Sequence, residues 1–337
     1  MFKPTKRLSL CAGALTLLAI AGATPAAAQF GARNVQLLIG VAPGGGYDLW
    51  GRAVARHLGK HLPGKPTVVP QNMPGAGSVN AATHIYNVAP KDGTVIGIIA
   101  SEAPLAPLLF EGAQFDPTKL SWIGSPSTAI SVCIASNTAK VKSAKDLFEH
   151  ELIMGDTGVG TGAHSLPNAL NGLLGTKFKL IGGFRSSTTV MLAIEQGEVD
   201  GMCMSYDSLM TIRGDWVRSG KVVILFQGGP ASKPELKDVP YGVDLARNAE
   251  ERLALEFLYA GQGIGRPFIA PPDLPADKLK ALRDGFDATM TDPEFLEDAG
   301  KQKFEIDPIS GVQLEALIKK IYATPKSIVD RVGKLIK

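Results

Sequence analysis

The chain has few of the residues that build metal centres and disulfide scaffolds, with only three cysteines and five histidines among 337 residues. It has no Cys-x-x-Cys pair, no His-Glu-x-x-His motif and no histidine cluster with carboxylates at metal-ligand spacing along the chain, the local patterns that indicate zinc sites. A Gly-x-Ser-x-Gly nucleophile elbow is also missing. The sequence therefore predicts no metal, no cofactor and no catalytic residue.

An excess of charge of one sign is missing as well. The formal net charge is +3, and Lys3, Lys6 and Arg7 at the N-terminus account for it. A remainder near zero excludes dominant electrostatic attraction to nucleic acid or to anionic lipid. Beyond the N-terminal segment no apolar run is long enough to span a bilayer. We expect no nucleic-acid partner.

Residues 1–28 read as a secretory signal peptide. Basic residues precede the apolar run 8–23, and the small residues at 25–28 suit a cleavage site. Cys11 is not interpreted as a lipid attachment site, because the large Leu10 precedes it and the apolar run continues after it. The mature chain is expected to be soluble and exported to the periplasm.

Cys133 and Cys203 are the only cysteines outside this leader. Export permits a disulfide between them, but the sequence cannot place their Cα atoms relative to each other. Two buried free thiols are the favoured expectation.

Short apolar runs alternate with helical patterns, first over residues 35–110 and again over 130–226. The first strand is predicted at residues 35–39, and helices are predicted at 49–61, 79–87 and 144–149 among others. This alternation predicts βα units around mostly parallel sheets, and therefore an α/β fold. The last third is mainly helical, and Asp292 and Ser310 are predicted to be N-caps.

A glycine-rich turn at residues 41–48 joins the first predicted strand to the first predicted helix. Gly44, Gly45 and Gly46 leave backbone N–H groups accessible, and the helix start favours an anion. The turn lacks the Gly-Lys-Ser/Thr ending of a Walker A loop and the third glycine of a dinucleotide fingerprint, so a nucleotide phosphate is disfavoured. Asp48 either caps the helix or accepts a hydrogen bond from a ligand.

Two later loops repeat this geometry. One carries the hydroxyls of Thr157 and Thr161 and ends at His164, which is either a local packing residue or a ligand contact. The other contributes Arg185, either a clamp for a carboxylate or a solvated surface residue. Ser101 follows another strand. Strand-to-helix turns of one sheet open on the same side, so these loops are expected to converge on a ligand.

The loops resemble those of a known family. Residues 42–48 (Ala-Pro-Gly-Gly-Gly-Tyr-Asp), 71–77 (Gln-Asn-Met-Pro-Gly-Ala-Gly) and 89–94 (Ala-Pro-Lys-Asp-Gly-Thr) are similar in order and spacing to the receptors of tripartite tricarboxylate transporters, the TctC-like or Bug family. Residues 155–164 and 195–201 resemble two later elements of that family. The resemblance extends over nearly the whole mature chain.

This resemblance implies a two-lobed, type II periplasmic binding protein fold, each lobe being a mostly parallel sheet flanked by helices. By analogy, lobe 1 comprises residues 29–130 with 260–337, and lobe 2 comprises residues 131–259. It implies a monomeric periplasmic receptor that is not an enzyme, captures a small organic carboxylate and delivers it to a two-subunit integral membrane permease. The implied ligand-binding residues are Gly44, Gly45, Gly46, Tyr47, Asp48, Ser101, Thr157, Gly158, Gly160, Thr161, His164, Phe184 and Arg185.

Two departures from the family pattern predict an altered pocket. Val41 stands where the family has an aromatic residue, and residues 183–186 (Gly-Phe-Arg-Ser) replace a Tyr-x-Gly-Gly segment. Arg185 would suit a second acidic group, but the family's substrates, such as citrate and dicarboxylic amino acids, are not carried over to this chain.

Two alternative functions remain open on the sequence. An exported α/β enzyme acting on an acidic substrate would need a nucleophile and a base within hydrogen-bond reach in the cleft. A ligand-sensing partner of a membrane kinase would share the receptor fold, and the neighbouring genes would distinguish it from a transport receptor.

Overall fold

The structure is a computed structural model that describes residues 1–2 and 34–336. Except for its first two residues, the predicted leader lies outside the described residues. Cys11 is therefore not described. Within them, no helix is both long enough and apolar enough to cross a membrane.

The described residues form eleven strands and eleven α-helices. The strands are β1 (Val35–Ile39), β2 (Val68–Asn72), β3 (Val95–Ile98), β4 (Ser121–Ser125), β5 (Ser131–Ser136), β6 (Leu152–Gly155), β7 (Phe178–Ile181), β8 (Gly201–Ser205), β9 (Val222–Gly228), β10 (Phe268–Ala270) and β11 (Ile309–Ser310). The helices are α1 (Gly46–Leu58), α2 (Val79–Asn87), α3 (Ala106–Leu109), α4 (Gly162–Leu174), α5 (Ser187–Gln196), α6 (Tyr206–Arg218), α7 (Ala249–Ala260), α8 (Ala276–Met290), α9 (Pro293–Lys301), α10 (Gly311–Tyr322) and α11 (Lys326–Leu335).

The strands form two sheets with the same core order. Sheet 1 runs β11-β4-β10-β3-β1-β2, and sheet 2 runs β7-β6-β8-β5-β9. In each sheet three neighbouring strands pair in parallel, and one antiparallel strand, β10 or β5, separates them from a fourth strand of their own direction.

The antiparallel strands mark where the chain passes between the sheets. β5 enters sheet 2 directly after β4 of sheet 1, and β10 returns to sheet 1 after β9 and α7. The chain therefore crosses twice, which confirms the two-lobed α/β fold. Below, lobe 1 means sheet 1 with its helices and lobe 2 means sheet 2 with its helices, while the residue limits of the two domains stay a prediction.

Most predicted elements occur, and the exceptions have local causes. The first helix begins at Gly46, three residues before the predicted start. Helix α6 was not predicted; its backbone leaves the helical region at Arg213 (φ −143°), beside Gly214. Residues 144–149, predicted to be helical, form only a 3₁₀ turn at Asp146–Phe148. The short strands β4, β10 and β11 were also not predicted.

The predicted N-caps of two C-terminal helices are confirmed. The Asp292 side chain accepts a hydrogen bond from the Glu294 amide at the start of α9. Ser310 and Gln313 form a reciprocal capping box at the start of α10, an arrangement that satisfies two otherwise unpaired amides.

The expectation of two free thiols is wrong, because Cys133 and Cys203 form a disulfide. Cys133 lies on β5 and Cys203 on β8, and the antiparallel register places the two residues directly opposite each other with their Cα atoms 4.0 Å apart. Directly opposed residues of an antiparallel pair bring their side chains together. The two cysteines are separated by 70 positions in the chain, so the sequence alone did not show that they are neighbours.

Removing the disulfide should lower the stability of lobe 2. Replacing Cys133 and Cys203 together with alanine should lower the free energy of unfolding by roughly 2–4 kcal/mol, the usual effect of opening a long loop. Urea unfolding followed by circular dichroism measures the change. Reductant should destabilise the native protein by a similar amount and leave the double variant unchanged. Equal stability of the native protein and the double variant without reductant would contradict this expectation.

Candidate functional site

A cleft of about 460 Å³ lies between the two lobes. Loops that follow β1, β2 and β3 line it from lobe 1, and loops that follow β6, β7 and β8 line it from lobe 2. These are the carboxyl ends of strands in both sheets, where open α/β sheets bind ligands. The predicted convergence of the glycine-rich loops thus occurs in the structure.

Asp48 shapes the first glycine loop from behind. Its carboxylate accepts hydrogen bonds from the Gly44 amide (2.9 Å), Arg52 Nε (2.9 Å) and Asn72 Nδ2 (2.8 Å). Burial alone would raise the pKa of Asp48, but these hydrogen bonds outweigh it and lower the pKa below its ordinary value. Asp48 is neither the N-cap, which is Gly45, nor a residue that lines the cleft.

Ser78 ties three loops of lobe 1 together. Its hydroxyl donates to the Gly40 carbonyl (3.0 Å) after β1 and accepts from the Ala100 amide (3.0 Å) after β3. Ser78 itself is buried and has a left-handed backbone (φ 77°) in the segment between β2 and α2. A side chain on Gly40 would overlap the Ser78 hydroxyl, so this junction requires glycine there.

Asp156 and His164 organise the corresponding loop of lobe 2. His164 Nδ1 lies 2.7 Å from Asp156 Oδ2, and Asn168 Nδ2 lies 3.1 Å from His164 Nε2. The Asn168 nitrogen is a donor, so Nε2 accepts and the ring proton is assigned to Nδ1. The other Asp156 oxygen accepts from the Gly158 amide (2.7 Å). His164 therefore holds the loop in shape and does not line the cleft.

Several helices start at the cleft. Of these, α2 continues a 3₁₀ turn at Ala76–Ser78, and α1 and α4 have no side-chain cap. Ser186 and Ser205 accept hydrogen bonds from the first turns of α5 and α6. The N-caps of α1 and α4, Gly45 and Thr161, make no such side-chain bond. The first amides of a helix have no acceptor within it. The starts of α1 and α4 thus offer unused donors and positive partial charge to the cleft.

Among the described residues that line the cleft, only Arg185 and Glu102 carry charge. Arg185 is exposed and makes no hydrogen bond or ion pair within the described part of the chain. Glu102, from lobe 1, is half-buried and accepts a hydrogen bond from Gln262 Nε2 (2.9 Å). The cleft therefore presents one cation from lobe 2 and one anion from lobe 1.

Tyr47 brings a phenol to the same cleft. Its hydroxyl accepts from the Ser101 amide (2.9 Å) and lies 3.3 Å from the Gly265 carbonyl. Burial, followed by the negative charge of Glu102, raises the pKa of Tyr47 to about 12, so the phenol stays protonated. The Ser101 side chain is 1% exposed and its hydroxyl has no hydrogen-bond partner, although it does not line the cleft.

The two lobes touch around the cleft. Thr188 Oγ1 of lobe 2 donates to the Gly44 carbonyl of lobe 1 (3.1 Å). A side chain on Gly77 would overlap the Gly160 carbonyl across the cleft. The arrangement is thus closed, and glycines permit the closest approaches.

A buried ion pair joins the lobes beside the cleft. Arg266, in the segment leading to β10, donates to Asp207 of α6 (3.0 Å) and to the hydroxyls of Ser127 (3.1 Å) and Ser205 (3.0 Å). Its guanidinium also lies 5.1 Å from the centre of the Trp50 ring. The sequence did not predict this group, because its members are spread from residue 50 to residue 266.

The predicted ligand-binding residues divide into two groups. Those that line the cleft are Gly45, Gly46, Tyr47, Thr157, Thr161, Phe184 and Arg185. Those that do not line it are Gly44, Asp48, Ser101, Gly158, Gly160 and His164. Several of the second group instead fix the loops that the first group belongs to. Lining residues outside the predicted segments include Glu102, Gln262 and Met204.

In the described part of the chain, one histidine and two carboxylates lie close enough together to hold a metal ion, although spacing along the chain gave no sign of this group. Ligand atoms of His57, Asp292 and Glu294 lie within 4.8 Å of one another. The Lys60 ammonium contacts both carboxylates, so a cation already occupies this position. Burial alone would raise the pKa of Asp292, but hydrogen bonds, chiefly from Lys60, outweigh it and lower the pKa to about 2.

The fold and cleft define the class of two-lobed periplasmic binding proteins. Residues 51–334 match the family described as the tripartite tricarboxylate transporter family receptor, and the chain belongs to that family. The family consists of substrate receptors and is not a family of enzymes, which accords with the resemblance inferred from the loops.

Individual relatives agree with this assignment. The chain is 25% identical over 286 residues to a UPF0065 protein of Bordetella pertussis, a match that covers 83% of each chain. The structure of the periplasmic binding protein BugD is similar with a TM-score of 0.71 and 22% identity, covering 89% of this chain and 98% of BugD. MatC from Rhodopseudomonas palustris, solved with bound malate, has a TM-score of 0.68 and 18% identity over 91% of this chain and 100% of MatC. At these identities the two structures show the fold alone.

Proposed function

We propose that this protein is a periplasmic receptor that closes its two lobes on a small organic carboxylate and delivers it to the membrane permease of a tripartite transporter. The observation that carries the proposal is the uncapped start of α1 in lobe 1, which opens on a closed cleft opposite lobe 2 and its Arg185, a cation with no ion pair among the described residues. Helix N-termini and a guanidinium are the donors that a carboxylate prefers.

In this proposal, binding depends on hydrogen-bond donors to the carboxylate and on the removal of the carboxylate from water. The Gly46 and Tyr47 amides at the start of α1 and the Arg185 guanidinium reach the ligand from opposite lobes. Closure removes the carboxylate from water, where each hydrogen bond to a charged group contributes roughly 1.5–3 kcal/mol. The malate bound to MatC supports a carboxylate as the class of ligand.

Delivery and location complete the proposal. Export, with cleavage near residue 28, would place the receptor in the periplasm. The mature protein would be a monomer whose first lobe comprises residues 29–130 and 260–337 and whose second lobe comprises residues 131–259. Membership of a transporter receptor family supports a two-subunit integral permease as its partner. Uptake of the identified acid by cells that carry or lack this gene tests the delivery step.

Calorimetry of the purified mature protein against mono-, di- and tricarboxylates tests the binding step. We expect at least one acid to bind, and Arg185→Ala to weaken its affinity by roughly 10–100-fold because a charge-assisted hydrogen bond is lost. Arg218→Ala, at the opposite end of α6 from the cleft, is the matched control and should bind like the native protein. Failure to bind any acid, or chemical turnover of one, would overturn the proposal.

A further inference from the structure

Glu102 is a half-buried carboxylate without a counter-cation. Gln262 Nε2 donates to its Oε1 atom (2.9 Å), and no described lysine, arginine or histidine forms an ion pair with it. Partial removal of a charge from water costs free energy that a partner of opposite charge would offset. This unpaired carboxylate lines the cleft itself.

The position of Glu102 also affects the second uncapped helix. A methyl group built on Gly162, the first residue of α4, would lie 2.9 Å from Glu102 Oε1. The carboxylate of Glu102 therefore already stands beside the helix start of lobe 2 that would otherwise attract a ligand anion. A second ligand carboxylate placed there would meet a like charge at close range.

The same cleft also carries positive charge. Arg185 is the only cation among the described residues that line it, and the start of α1 has unused amide donors. Lobe 1 thus contributes an anion at Glu102, and lobe 2 contributes a cation at Arg185. A ligand that spans both groups gains two charge-assisted contacts only if it is itself positive at one end and negative at the other.

We propose that Glu102 binds a positively charged amino group of the ligand, so that the cleft selects an amino carboxylate over a dicarboxylate of the same length. This inference rests on the proposed carboxylate receptor and specifies the other end of its ligand. Gln262, buried beside Glu102, positions the carboxylate through its hydrogen bond.

A set of ligands that differ only at one end tests the inference. Calorimetry first compares 4-aminobutyrate, butyrate and succinate, which have four carbons each. It then compares the six-carbon ligands 6-aminohexanoate, hexanoate and adipate. The set that binds the native protein more tightly is used for the variants. The native protein should bind the amino acid roughly 10–100-fold more tightly than the diacid of equal length. Glu102→Gln keeps the shape, removes the charge and should abolish this preference. Glu111→Gln, at an exposed site outside the cleft, is the control.

The outcomes separate the two proposals. Native protein that binds the diacid as tightly as the amino acid overturns the role of Glu102 and leaves the carboxylate receptor standing. A Glu102→Gln variant that weakens all three ligands equally, with an unchanged thermal midpoint, also overturns it, because the residue would then act on the cleft as a whole. Absence of binding to every acid in the wider panel removes both proposals.

Discussion

Gly46→Ala should weaken ligand binding by roughly 10–100-fold, the effect of an overpacked contact that costs about 1–3 kcal/mol. Gly46 is the first residue of α1 and faces α6 of the other lobe. A β-carbon there would overlap the Ser208 hydroxyl and lie 2.9 Å from Ser208 Cβ. Because Gly46 and Ser208 belong to different lobes, the overlap occurs in the closed arrangement. Closing on the ligand would therefore require these atoms to move apart, which costs binding free energy. Calorimetry with the identified acid measures the loss.

Folding of the Gly46→Ala variant should be unaffected, because alanine suits a helix better than glycine does. Gly112→Ala is the matched control, since no atom lies within 4 Å of a β-carbon at Gly112. Adding Ser208→Gly to Gly46→Ala should restore most of the affinity by removing the partner in the overlap. Small-angle scattering should show native protein, but not the single variant, contracting at equal ligand concentration. Unchanged affinity in the single variant would show that binding does not require this closed contact.

Asp207→Ala should destabilise the protein by about 3–5 kcal/mol, the usual effect of leaving a buried charge without its partner. Arg266 is fully buried and Asp207 nearly so. Arg266 Nε already lacks a hydrogen-bond partner, so the loss of Asp207 would leave only serine hydroxyls and aromatic rings around the guanidinium. Urea unfolding measures the change in free energy.

An exposed ion pair supplies the control for Asp207. Lys326 and Asp330 form an (i, i+4) pair on the surface of α11, and Asp330→Ala should change the stability by no more than about 0.5 kcal/mol. Replacing Arg266 with methionine and Asp207 with leucine together should be less harmful than Asp207→Ala alone, because no unpaired charge remains. If Asp207→Ala behaved like Asp330→Ala, the pair would contribute little to joining the lobes.

Much of the fold and part of the site could be predicted because their signals are local. Strand β1 and helix α2 have their predicted bounds, and the N-caps Asp292 and Ser310 are confirmed. The glycine loop before α1 was identified from adjacent residues alone. Periodicity, capping and turn chemistry act over a few residues, so they can be read without knowledge of the rest of the chain.

Individual side-chain roles were less predictable even within those loops. Asp48 and His164 belong to the predicted segments, yet their partners Asn72 and Asp156 turn them away from the cleft. Glu102 was missed because nothing near it in the chain distinguishes it from a surface glutamate. Its position became informative only when Gln262 and Gly162 were placed beside it.

Amino-acid order alone thus predicted an α/β chain, glycine-rich loops suited to an anion, and a resemblance to a known family. Tertiary structure decided the disulfide between Cys133 and Cys203, the burial of Arg266 against Asp207, and the presence of Glu102 and Arg185 in one cleft. Each of these depends on the insertion of an antiparallel strand or on the approach of two lobes. Because such contacts join residues that are far apart in the chain, a local sequence pattern does not predict them.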